Sequence, residues 1–162
     1  MTGDPARAAQ GVAGDERLAR VEAVVTPIRA IDGWATVEIE RAVLAVAGAS
    51  GETNAADDPL LGARCRRVSL EDGGEIVLLE PITEGRLAAS LARYGEGLAA
   101  RYLVAEPGAF DRLRLAGWML SAETDGPFGP ERLVLEGPRW GPHLLVVDSP
   151  PTPPATGYHP DA

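Results

Sequence analysis

Apolar and polar positions alternate in short blocks along this chain, and the blocks predict an α+β order of elements. The run LARVEAVVTP (18–27), rich in Val and closed by Pro27, predicts a strand. In WATVEIERAVLAVA (34–47), after Asp32 and Gly33, Trp34, Val37, Arg41 and Leu44 fall on one stripe, with Ile39, Val43 and Val46 beside it. A helix is expected there, and the β-branched residues leave a strand as the alternative. GASGETNAADDP (48–59) reads as a polar loop. ARCRRVSLE (63–71) and EIVLLEP (75–81) read as two strands joined by a tight turn at Asp72-Gly73. EGRLAASLARYGEG (84–97) is helical, with Leu87, Leu91 and Tyr94 on one side and glycines at its end.

The same order then repeats. A strand is expected over 98–107, a short helix over 108–116 with Phe110 and Leu113 inward, and closing strands at 118–123, 131–137 and 141–148. A duplicated βαβββ unit would give each half an open, curved mixed sheet, and two such sheets side by side enclose a cleft. The expected organisation is a flexible tail at 1–16, a domain over 17–148 with modules at about 17–82 and 98–148, and a proline-rich tail at 149–162 that contains Tyr158 and His159.

Composition narrows the chemistry. The net charge of −9 argues against nucleic acid and anionic membranes as partners. All 15 basic residues are Arg, which excludes a lysine Schiff base and a P-loop lysine. Cys65 is the single cysteine, so no disulfide closes within the chain and cysteine-cluster zinc sites are excluded. No apolar run reaches the roughly 18 residues of a membrane span, and the first residues lack the apolar stretch of a secretory signal. A cytoplasmic location is expected.

Local sequence adds a resemblance. IVLLEPITEGRLAASLARYGEGL (76–98) resembles the vicinal-oxygen-chelate superfamily, which includes glyoxalases, methylmalonyl-CoA epimerases, bleomycin-resistance proteins and extradiol dioxygenases. The shared pattern is a strand ending in Glu-Pro, a short helix, and Gly-Glu-Gly-Leu entering the second module. RLRLAGW (112–118) is similar to the end of that family's second-module helix. The resemblance implies the glyoxalase-like fold, and a homodimer by the family's habit. It also implies four inward-facing metal ligands drawn from His, Glu and Gln. Carried over by position, these fall on Val21, Glu80, Ala100 and the Val146–Val147 pair, so only Glu80 keeps a ligand type. One-residue slips would offer Glu22 and Asp148, but residues 99–101 offer only Ala, Ala and Arg. No metal and no other cofactor is therefore expected.

The candidate site is then built on Glu80 as general base or remaining ligand. Arg101 could pair with it across the cleft and receive an anionic ligand group. Tyr102, Trp118, Trp140 and His143 are the other candidate ligand-binding residues. Each has a structural reading as well: Glu80 as a strand end, Trp118 as core, His143 as a satisfied polar residue. Cys65 reads as packing. Three functions follow: a metal-independent cleft for a small, partly apolar and anionic ligand; a lyase, isomerase or dioxygenase with an altered site; or a non-enzymatic interaction domain using the proline-rich tail.

Overall fold

The computed structural model describes residues 16–148, which form eight strands and four helices. The tails, with Tyr158 and His159, lie outside the described residues. No helix among the described residues is long and apolar enough to cross a membrane.

The chain opens on a helix, α1 (16–25), where a strand was expected. Leu18, Val21, Val24 and Val25 fall at helical spacing and pack on the second half of the protein, with Val21 and Val25 fully buried. Burial of this stripe overrides the strand preference of the valines. Thr26, in the left-handed region at φ 48°, and then Pro27 stop the helix.

Strand β1 (Arg29–Ala35) follows, so Trp34 belongs to a strand rather than to a helix over 34–47. The helix there is only α2 (Ile39–Ala45). β2 (Ala49–Asn54) occupies part of the expected polar loop; every residue in it is exposed, as befits a sheet edge. β3 (Ala63–Leu70) and β4 (Glu75–Pro81) form the expected hairpin, and α3 (Arg86–Tyr94) links to the second module. That module comprises β5 (Gly97–Ala105), α4 (Ala109–Leu115), β6 (Thr124–Gly126), β7 (Gly129–Leu133) and β8 (His143–Asp148). The segment 118–123, expected as a strand, contributes only a bridge from Leu120 to Val134.

The repeat is therefore βαβββ in both halves, with α1 added in front. The strands join into one curved mixed sheet in the order β2-β3-β4-β1-β5-β8-β7-β6. β1 and β5 meet antiparallel at the centre, each with a parallel partner on its other side, β4 and β8 respectively. α1 and α4 cover the convex face of the second half, and α2 covers part of that of the first. Gly33 sits at the seam because a Cβ there would lie 2.9 Å from Leu79 and 3.1 Å from Ala100.

Candidate functional site

Strand periodicity decides which side chains reach the concave face. There β1 contributes Ile31 and Ala35, β4 Val77 and Leu79, β5 Ala100, Tyr102 and Val104, and β8 Leu145 and Val147. The segment between β2 and β3 folds over this face and packs Ala55, Leu60 and Leu61 against it. It also brings in Asp58, fully buried, whose Oδ2 accepts the Tyr102 hydroxyl at 2.6 Å and whose Oδ1 accepts Leu61 N–H at 3.1 Å. Phe128 caps Tyr102 edge-on at 5.2 Å, and Arg67, held by Glu75, stacks over Phe128 at 4.7 Å.

Glu131 on β7 is fully buried beside Asp58. Burial first, then the Asp58 charge and a hydrogen bond with Asp58, hold its carboxyl well above the usual carboxylate range. Glu131 thus keeps its proton at neutral pH. Burial likewise pushes up the Cys65 thiol and the Tyr102 hydroxyl, so neither offers an anion.

This donor set does not fit a divalent ion. The central concave positions are aliphatic apart from Tyr102, whose hydroxyl is bonded to Asp58, and the neighbouring Glu131 carboxyl is protonated. Among the described residues no group of three or more His, Cys, Asp or Glu is gathered for a metal. Val21 lies on α1, and Val146 points into the convex core of the second half.

The other sequence-predicted residues do not converge. Glu80 faces away from the concave side: its Oε2 accepts Ile39 N–H at 2.8 Å, and its Oε1 takes Arg64 at 2.6 Å. It thereby closes the first turn of α2, where backbone donors have no partner within the helix. Arg101, turned away from the concave face that Tyr102 enters, pairs at 2.8 Å with Asp32, its register partner on β1, and not with Glu80, which Arg64 and Ile39 N–H already hold. Trp118 is buried in the convex core beneath Arg20, and Trp140 lies between Arg93 and Arg139. His143 is buried at the start of β8, with Nε2 lacking a hydrogen-bond partner; burial, then Arg86 and Arg17, lower its pKa to about 4. It is neutral at physiological pH.

A pocket that can admit a small molecule lies on the other face. α2 is seven residues long and, with Val46 at its end, packs Ile39, Ala42 and Val43 over β3 and β4. Its small residues Ala42 and Ala45, with Ala47 just after it, line a pocket of about 640 Å³ against Trp34. Leu70, Ile76 and Leu78 also line the pocket. Trp34 is 43% exposed, which is unusual for the largest side chain on a central strand. The charged residues of the pocket are Arg41 and Glu96, 3.6 Å apart. Glu96 Oε2 accepts the Thr36 hydroxyl at 2.6 Å and Val37 N–H at 3.0 Å; these bonds, with Arg41 adding less, hold its carboxyl below the usual range. Sequence reasoning missed Trp34, Arg41 and Glu96 as a site. The available signal was the alternation of Ile31, Gly33 and Ala35, which turns Trp34 outward if the segment is a strand.

No family model matches the chain, and no curated protein sequence matches it. Solved structures do. Methylmalonyl-CoA epimerase from Mycobacterium tuberculosis is similar with a TM-score of 0.64 at 18% identity, over 79% of this chain and 91% of that one. A hypothetical protein from Bacillus halodurans is similar with a TM-score of 0.60 at 15% identity, over 75% of this chain and 94% of that one. A variant of the Streptomyces coelicolor methylmalonyl-CoA epimerase, in complex with 2-nitronate-propionyl-CoA, is similar with a TM-score of 0.58 at 18% identity, over 77% and 99%. At these identities the likeness establishes the fold, and that fold is the α+β, glyoxalase-like one.

Proposed function

We propose that this chain is a metal-independent, glyoxalase-like binding protein that takes a small, largely apolar molecule into the pocket beside α2. The observation that carries this reading is the apolar pocket of about 640 Å³ walled by the exposed Trp34. Its volume falls in the range of small-molecule sites, roughly 300–1,000 Å³. Apolar lining favours burial of an apolar ligand body, at roughly 25 cal/mol per Å² removed from water. The concave face, where the resemblance would put a metal and substrate, supports no such role: it is packed by the 55–62 segment and its buried Glu131 is protonated.

Binding of apolar alcohols, followed by Trp34 fluorescence and calorimetry, tests the reading. Ala45→Phe fills the pocket from an exposed helix position and should abolish binding while leaving the fold intact. Binding that survives this substitution would count against the pocket.

A second reading is an isomerase-type enzyme of the same superfamily. It draws on the epimerase neighbours and on the proton held by the buried Glu131. Glu131→Gln should then remove epimerisation of an acyl-CoA, read by proton exchange with deuterated water; no exchange in the unaltered protein would dismiss it.

A further inference from the structure

We infer that the pocket beside α2 selects ligands that carry a cationic head on an apolar body, an alkyl or aryl amine, with Glu96 receiving the ammonium group. This rests on the pocket reading above and adds the head-group chemistry.

Glu96 and Arg41 are not equivalent at this pocket. Glu96 is fixed in place by Thr36 and Val37, both on the corner that follows β1. Those two donors and Arg41 all approach one oxygen, Oε2. We assign Oε1 to the ligand. A carboxylate already held in position loses little freedom when it binds a cation. Arg41 is the loose partner: its side chain is 61% exposed, and its contact with Glu96 is 3.6 Å. An exposed pair of this kind contributes little, so a ligand ammonium can displace the guanidinium into water without leaving Glu96 unsatisfied. The converse exchange is poor, because a ligand anion on Arg41 would lie beside a carboxylate that cannot leave.

Two further features point the same way. The exposed Trp34 also lines this pocket, and indole faces attract ammonium groups. The net charge of −9 concentrates cations at the surface and repels anions. Arg101, the residue on which an anionic ligand was expected, is already paired with Asp32.

The test compares octylamine, octanol and octanoate, which share one apolar body, on the full chain at neutral pH. Octylamine should bind about tenfold more tightly than octanol, and octanoate most weakly. Glu96→Gln should bring octylamine down to the affinity of octanol without changing octanol. Arg41→Ala removes the competing cation, so octylamine should bind at least as tightly as before. Equal binding of octylamine and octanol, preference for octanoate, or loss of octylamine binding in Arg41→Ala would overturn the head-group assignment while leaving the pocket. Failure of all three probes would overturn the pocket reading itself. Amine binding unchanged in both Glu96→Gln and Ala45→Phe would place the amine elsewhere on the acidic surface and overturn the assignment.

Discussion

Tyr102 on β5 donates its hydroxyl to Asp58 at 2.6 Å, joining the central strand of the sheet to the segment that fills its concave face. Both residues are fully buried, so neither can exchange this bond for water. Tyr102→Phe removes the donor and leaves a buried carboxylate oxygen short of a partner. The expected cost is about 1–3 kcal/mol, read as a lower urea midpoint at unchanged slope. An unchanged midpoint would mean that water reaches Asp58.

The protonated Glu131 gives stability a particular pH dependence. Its folded pKa is raised from 4.5 to about 10, so the folded state retains a proton that the unfolded state releases. The contribution is fully present below about 4.5 and is lost as pH rises toward about 10. Melting temperature should therefore fall from pH 6 to pH 9. Glu131→Gln, which keeps a neutral group of the same size, should flatten that dependence.

His143 works in the opposite direction. Its folded pKa is lowered to about 4 from 6.5, so between these values the unfolded chain binds a proton that the folded one refuses. Its contribution is present above 6.5 and is lost as pH falls toward 4. Nitrogen NMR of the imidazole should show the neutral form at pH 5.5; a charged ring there would mean that the site is hydrated.

Glu80 should matter for α2 rather than for chemistry. Glu80→Ala removes the acceptor for Ile39 N–H and should cost about 1 kcal/mol of stability. Octanol binding at a temperature well below the transition should persist. Loss of binding in a folded Glu80→Ala sample would return this residue to the site.

Gly33→Ala should destabilise the seam. The new methyl would press on Leu79 and Ala100, with Tyr102 at 3.3 Å. All three neighbours are fully buried, so they have little room to move, and the expected loss is about 1–3 kcal/mol by denaturant titration.

The middle of the chain was more legible in sequence than its beginning. β3, β4, α3, β5 and α4 lie close to where alternation and turn residues put them, because Asp72-Gly73, Gly95 and Gly117 mark their ends. β1 was hidden because its outward Trp34 and the following Val37 imitate a helical stripe. α1 was hidden because Val21, Val24 and Val25 favour a strand until the convex core is there to receive them. The candidate site was less legible still. Asp58 meets Glu131, and Trp34 shares a pocket with Glu96, only because the topology folds separate segments together. The Glu-Pro pair at Glu80 does close β4 as the resemblance implied, but the parity of that strand turns the carboxylate away from the cleft.

The antiparallel seam between β1 and β5 also bears on how the chain folds. Each module ends at that seam on a central strand, so a chain cut between them would leave two half-sheets, each with a long unprotected edge. The two halves are alike in element order but incomplete alone. The domain should melt in one cooperative transition rather than as two modules in turn.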